Sequence, residues 1–379
     1  MIWRKLVAIF SMTLLLTACS SDTKELPPAK LVKFNPETDL KVVWSRSVGD
    51  GQGDLYNRLT PAIDGSTIYA ADIDGVVMAM DRYDGTVRWK KKLKRPISGG
   101  VSAAYGVVLV GTLKGEVIAL DNNTGDERWR VKVNSEVLSA PVTNGNIVVV
   151  QTGADTLFGF DIVTGKQLWR YDNYPAVLTL RGTSTPVITN NIAVFGLSTG
   201  HVIALDPNTG VPVWEQVIAM PKGRSELERM VDIDGKLLLA GSTLYAVTYQ
   251  GQAAALELNS GRILWQRLAS SYTGLTQNLD TVFLSLADGT VQAIDEKNVS
   301  ELWANNQLAR RQLSGPASFY NYIAVADFEG YLHLMSQADG HFVARLKIDG
   351  NGVRVEPLAV DNIIYVYGNG GKLEALSIK

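Results

Sequence analysis

The sequence predicts an all-β protein: an eight-bladed β-propeller of four-stranded antiparallel blades, with the ring closed by the N-terminal strand. Three observations predict it. A unit of about 40 residues recurs along nearly the whole chain. Inside each unit, apolar residues alternate or run in short stretches bounded by Gly, Asn and Asp, and no stretch sustains a helical period. The last unit is incomplete, and a strand with an unmatched Trp ahead of the first unit supplies what it lacks.

The unit is read most easily from one recurring strand. Gly75 to Asp81 (GVVMAMD) recurs as Gly115 to Asp121, Gly200 to Asp206, Gly251 to Glu257 and Gly289 to Asp295, with weaker copies starting at Asp155, Gly330 and Gly371. Fourteen residues after each of the first seven starts stands Trp89, Trp129, Trp169, Trp214, Trp265, Trp303 and, in the seventh copy, Ala344. Ala119 to Gly125 is a strand end followed by a tight turn, in which an Asp side chain accepts backbone N–H bonds and a Gly takes positive φ. Four short strands per unit of this length make a propeller blade.

A ring must close, and an open stack would need polar caps that are not evident. The eighth copy stops at Lys379, before its Trp position, while Trp44 stands unmatched in Leu40 to Trp44 ahead of the first copy. The N-terminal strand therefore completes blade eight, which removes exposed sheet edges at the seam.

Composition limits the function classes. With 36 Lys+Arg against 38 Asp+Glu, the net charge of −2 argues against a nucleic-acid binder that depends on phosphate neutralisation. One Cys excludes an internal disulfide and a cysteine-rich zinc site. That Cys lies at the start. Arg4 and Lys5 precede an apolar stretch from Leu6 to Leu16, too short to span a bilayer. The stretch ends in Leu16-Thr17-Ala18-Cys19, which resembles the lipobox of bacterial lipoproteins. The resemblance implies removal of residues 1–18 and lipidation of Cys19, and Ser20 at the second mature position implies the outer membrane. Residues 19–38, polar with Pro27-Pro28, read as a lipidated tether, and residues 39–379 as the propeller.

The Ala-Leu-Asp strand end, the Thr-Gly turn and the Trp four residues later resemble the repeat of quinoprotein dehydrogenases that carry pyrroloquinoline quinone. With the lipobox, the eight repeats and little else, the whole chain resembles the BamB family of outer-membrane protein assembly factors. Leu178-Thr179-Leu180-Arg181-Gly182 and Asp232-Ile233-Asp234 carry the resemblance further, since family members have a Leu-x-Leu-Arg-Gly and an Asp-hydrophobic-Asp there. The resemblance implies that Leu178, Leu180, Arg181, Asp232 and Asp234 contact a POTRA domain of the central barrel component of the assembly machine. It also implies a scaffold lipoprotein on the periplasmic side of the outer membrane that aids folding and insertion of outer-membrane proteins and holds unfolded client chains.

The same segments stand out by length. From each Trp position to the next blade's inner strand, most intervals are 10 to 13 residues, but Trp214 to Leu237 is 23, and Trp169 to Pro186 and Trp44 to Pro61 are 17. The first two connections hold the five residues and enter adjacent blades on one face. Long loops on a rigid scaffold are where function tends to sit. A local alternative has Leu178 and Leu180 lying on their own blade and Arg181 pairing with Asp232 or Asp234. The Gly-rich run at Gly49, Gly51 and Gly53 reads as a flexible connection.

A quinoprotein oxidoreductase and a generic ligand-binding propeller are the competing functions. Most Asp residues recur at turns and so read as structural; His201 reads as a sheet residue, and His333 and His341 fall in the degenerate seventh blade. No Ser-His-Asp, His-Glu-x-x-His or phosphate-loop pattern is present. The expectation is a non-enzymatic protein with no cofactor and no metal site.

Overall fold

The computed structural model describes residues 26–379, so the signal and Cys19 lie outside the described residues. Thirty-two strands form eight four-stranded antiparallel sheets, and no helix occurs among the described residues. Blade one runs outward through Ala62–Asp64, Thr67–Ala71, Val76–Asp81 and Val87–Lys92. The next six blades repeat this order. Blade eight takes Leu358–Val360, Ile363–Tyr367 and Lys372–Ile378 from the C-terminus and Leu40–Ser47 from the N-terminus, with Leu40 opposite Ile378 and Ser47 opposite Lys372. The predicted closure is therefore the observed one.

The burial of each strand follows from its place between neighbouring blades. Second and third strands are covered on both faces, so Thr67–Ala71 and Ile147–Gln151 are buried throughout and read as continuous apolar runs. Fourth strands are wet, and in Val87–Lys92 only Trp89 is buried.

Each Trp lies across a small residue of its partner strand and reaches the following blade. Trp89 pairs with Ala79, Trp129 with Ala119, Trp169 with Gly159 and Trp44 with Ala375. A β-bulge follows at each of these pairs, which turns the strand where the indole crosses it. The indole then covers the turn glycine of the next blade: a Cβ on Gly125 would meet Trp89 at 2.6 Å, and one on Gly165 would meet Trp129 at 2.8 Å. Its Nε1–H donates to a carbonyl of the same turn, from Trp89 to Asn122 at 2.9 Å, Trp129 to Ile162 at 2.7 Å and Trp169 to Pro207 at 2.7 Å. Trp44 closes the ring in this way, donating to the Arg82 carbonyl at 2.9 Å beside the Tyr365 hydroxyl, which donates to the same oxygen.

The seventh blade shows why its Trp is missing. Its partner would be the turn between the third and fourth strands of blade eight, and there the chain is broken between Lys379 and the N-terminal strand. Ala344 stands at the Trp position, and a strap N-terminal to Leu40 covers the region instead. Phe34 stacks on Phe342 with ring centroids 5.6 Å apart, and Leu31, Val32 and Phe34 lie against a buried cluster spanning blades six and seven. Arg310, Arg311 and Arg345 donate to the carbonyls of Pro27, Ala29 and Val32 at 2.8–2.9 Å. The polar segment before the propeller is thus docked from Pro27 onward, whereas its composition suggested a tether as far as residue 38.

The Gly-rich run is also fixed rather than flexible. Gly51 has φ 71°, its carbonyl accepts from the Ile73 amide at 2.8 Å, and a Cβ there would lie 2.1 Å from the Asn369 oxygen. Glycine lets blades eight and one approach closely at the seam.

Blade six carries the one imperfect interlock among the described Trp residues. Where other turns have Gly, it has Val299 at φ 59°, and Trp265 Nε1 has no hydrogen-bond partner. A β-branched residue in the left-handed region is strained by about 1–2 kcal/mol, and the lost bond adds about 1 kcal/mol. Glycine's greater unfolded-state freedom offsets about 0.5–1 kcal/mol of that. Val299 also packs, partly buried, on the apolar cluster beside Trp265, and losing that burial costs about 1 kcal/mol. Val299→Gly is therefore expected to raise stability only slightly, by about 0.5 kcal/mol, read as a small rise in melting temperature in thermal denaturation. An unchanged or lower value would refute this account.

Candidate functional site

The two long connections are shaped by local bonds before they meet each other. The first, residues 172–186, is pinned where the Ala176 amide donates to Ser198 Oγ at 2.9 Å, and that hydroxyl donates to Asp155 at 2.6 Å. The second, residues 218–237, contains Ser225-Glu226-Leu227-Glu228, which forms a capping box. Glu228 accepts from the Arg224 and Ser225 amides at 2.6 and 3.2 Å, and Ser225 Oγ accepts from the Glu228 amide at 3.3 Å. This single turn lifts Leu227 into solvent.

Of the two segments expected to form one patch, Leu180 meets Asp232 and Gly182 meets Asp234, while Arg181 turns elsewhere. Asp232 is fully buried, and its Oδ1 accepts from the Leu180 amide at 2.9 Å, so one loop holds the other across 52 positions of sequence. Asp234 is also buried and abuts Gly182, where a Cβ would lie 3.0 Å from its carboxyl carbon. Between them Ile233 inserts into the apolar cluster shared by blades four and five. Arg181 reaches neither Asp. Its guanidinium lies 3.3–3.4 Å from Glu136 on the connection before blade three. The local pairing considered from sequence, Arg181 with Asp232 or Asp234, is thus replaced by an exposed pair with Glu136. Asp232 holds the loop from beneath by that bond, and Asp234 packs against the same loop at Gly182.

Sequence reasoning passed over the apolar groups that the loops present. Tyr174 is 90% exposed and Val177 89%, with Met220 at 68% and Leu227 at 63%, while Leu178 is 39% exposed and Leu180 partly buried. The available signal was their position in the two over-long connections. Monomeric surfaces seldom gather such side chains without a use for them.

Two buried carboxyls side by side have an electrostatic consequence. Burial, with Asp234 nearby, pushes the Asp232 carboxyl up to about 7. Burial likewise pushes Asp234 up to about 6, with Arg58 opposing the shift. Asp232 Oδ2 has no hydrogen-bond partner among the described residues. His333, by contrast, is wholly buried between Asp327 and Arg345 inside blade seven, and His201 pairs with Glu215 on a strand surface. Among the described residues no group of three or more His, Cys, Asp or Glu is placed to hold a metal ion.

A carboxyl whose folded value lies above its unfolded value near 4 binds its proton more tightly in the folded state. Its stabilising contribution is complete below pH 4 and is lost as pH rises through about 7 for Asp232. Asp232→Asn keeps an oxygen for the Leu180 amide and has no charge to bury. Thermal melts should show the variant more stable than the parent at pH 8, by about 1–3 kcal/mol, with the gain shrinking toward zero at pH 4. A pH-independent difference would contradict the assignment.

With this geometry in place, the likeness to known proteins is specific. A family model described as "Outer membrane protein assembly factor BamB" matches residues 73–305 and 287–379. The chain is 62% identical over 380 residues to the outer membrane protein assembly factor BamB of Pseudomonas aeruginosa, covering 100% of both. The crystal structure of BamB from Moraxella catarrhalis superposes with a TM-score of 0.81 at 30% identity, covering 89% of this chain and all of that one. A europium-containing methanol dehydrogenase, 14% identical with a TM-score of 0.72 over 89% of this chain and 93% of its own, shares the fold alone. The chain belongs to the BamB family of outer membrane protein assembly factors.

Proposed function

We propose that this protein is a non-catalytic scaffold of outer-membrane protein assembly, held to the periplasmic side of the outer membrane by a lipid on Cys19. In this reading it binds a POTRA domain of the central barrel component through the loops that enter blades four and five. The observation that carries the reading is the Leu180 to Asp232 bond, which makes two separate loops one rigid surface. A preorganised surface loses little conformational entropy on binding.

The roles within the patch follow from burial. Leu178, with Tyr174, Val177 and Leu227, supplies apolar contact, and Arg181 supplies the charged contact. Arg181 is held over the patch by a partly exposed pair with Glu136 that a partner carboxylate can replace. Asp232 and Asp234 are positioning residues: Asp232 fixes Leu180 by its bond, and Asp234 packs beneath Gly182. Because these carboxyls are committed to the loop, they favour a binding role over acid–base chemistry. Client chains would meet other surfaces, such as the exposed outer strands, by strand addition.

Co-purification with the barrel component from solubilised outer membranes tests the partner site. Arg181→Glu should weaken recovery by about 2 kcal/mol in affinity, roughly 30-fold, and Leu178→Ala with Tyr174→Ala should weaken it in the same direction, all with parental circular dichroism. Asp84→Lys, at a turn of blade one, should leave recovery unchanged. Parental recovery by the Arg181 and Leu178 variants would move the partner site elsewhere on the ring.

Lipidation has its own test. Cys19→Ala should abolish incorporation of labelled fatty acid and release the protein from the outer-membrane fraction. Continued labelling of that variant would refute the lipid anchor.

A further inference from the structure

At the centre of the ring lies a cavity of about 500 Å³, lined by residues from the connections and inner strands of all eight blades. This is within the range of small-molecule pockets, roughly 300–1,000 Å³. Its inner wall is apolar and includes Ile63, Val101, Leu138, Val142, Leu358 and Val360.

Its rim is cationic in an unbalanced way. Arg181 and Lys236 are matched by Glu136 and Glu356 at 3.3 and 3.2 Å. Arg58 and Arg354 flank the Tyr56 ring, their guanidinium carbons 5.4 and 5.2 Å from its centroid, and among the described residues neither has a carboxylate within 4 Å. Their recorded hydrogen bonds go to backbone carbonyls, Arg58 to Asp234 at 3.4 Å and Arg354 to Leu55 at 2.9 Å. Asp234 is the remaining carboxyl in the lining; it lies against Gly182 and its charge acts on Arg58 without an ion pair, as that of Asp54, outside the lining, acts on Arg354.

A second observation points the same way. Four buried polar atoms with no partner belong to residues lining this one cavity: Arg58 Nε, Asn57 Oδ1, Ser139 Oγ and Thr183 Oγ1. Three of these four groups can donate a hydrogen bond. Buried polar groups are ordinarily satisfied, and each exception calls for a partner. Here none is supplied among the described residues.

We infer that the axial cavity binds a small organic anion with an apolar ring body, its charged group at Arg58 and Arg354 and its body against the inner strands. The two guanidiniums, sharing one aromatic ring, favour an oxyanion such as a sulfonate or carboxylate. The hydroxyls of Ser139 and Thr183 would take the polar substituents. This site stands independently of partner binding, although Arg181 and Gly182 belong both to its wall and to the loop above it.

The probes are 8-anilinonaphthalene-1-sulfonate and its uncharged counterpart N-phenyl-1-naphthylamine, titrated by fluorescence into the folded, purified protein. The sulfonate should bind with one-to-one stoichiometry and at least tenfold more tightly than the uncharged amine. The double variant Arg58→Gln with Arg354→Gln should lose that tenfold preference and leave binding of the uncharged amine unchanged. Arg354→Lys, which keeps the charge, should retain most of the preference and guards against a folding artefact. Arg88→Gln, on an outer strand, should change nothing. Equal binding of the two dyes, or a preference that survives loss of both arginines, would overturn the assignment.

Discussion

The structure depends on one contact made around the ring: an indole from the outer strand of one blade laid over the turn of the next. A buried Trp removes roughly 150–250 Å² from water, on the order of 5 kcal/mol at ~25 cal/mol/Å² as an upper bound. Its N–H has to find an acceptor when buried, and the turn carbonyl is where it finds one. The rest of the repeat serves this contact. The Ala on the partner strand makes room for the indole, the bulge aims it, the Asp shapes the receiving turn, as Asp121 does by accepting from Asn123 and Thr124, and the Gly lets the turn come close. Seven of the eight blades give an indole, and blade eight, whose third and fourth strands come from opposite ends of the chain, has no turn there to receive one. Blade seven accordingly lacks its Trp, and Phe34 with the docked strap covers the place.

What the sequence made legible is what repeats. Trp spacing, turn glycines and the complementary half-units follow from one device used blade after blade, so the blade count and closure could be read directly. The candidate loops were legible as departures from the period. What could not be read was which side chains of those loops face inward. Asp232 and Asp234 are polar by type and look like surface groups. Their burial depends on an amide 52 residues away and on Ile233 being drawn into a cluster between blades. The glycines at 49, 51 and 53 misled for a related reason. Composition reports freedom in the unfolded chain, whereas their positive φ and close contacts belong to a fixed seam. The strap misled because its polar residues outnumber Leu31, Val32 and Phe34, which are the ones that dock.

The ring's rigidity explains how weakly structured loops can hold a defined surface. Residues 172–186 have no strand until Val187, yet they are tied at Ala176 to blade three through Ser198 and Asp155, and at Leu180 to the next loop through Asp232. Burying two neighbouring carboxylates destabilises the folded state near neutral pH, and a core of apolar groups in the same place would be more stable. A buried acceptor aimed at one amide gives instead a single loop register, which an apolar side chain would not specify. The cost falls on stability and the return is in shape, as strained or unsatisfied groups at functional surfaces often show.

The docked strap constrains how such a protein can sit at a membrane. With a lipid on Cys19, only seven residues separate the anchor from Pro27, the first of the described residues bonded to the propeller. A fully extended chain gains at most ~3.3–3.6 Å per residue, so the link reaches roughly 30 Å at most. A tether running free to residue 38 would reach more than twice as far. The strap meets the ring at blades six and seven, and the paired loops enter blades four and five, so strap and paired loops lie on neighbouring sectors of one ring. A short link of fixed origin restricts the orientations in which those loops can face a membrane-bound partner. That restriction raises the effective concentration of the productive arrangement without adding a contact to the interface. The contacts of Arg310, Arg311 and Arg345 with the strap therefore bear on binding geometry as well as on blade seven's stability.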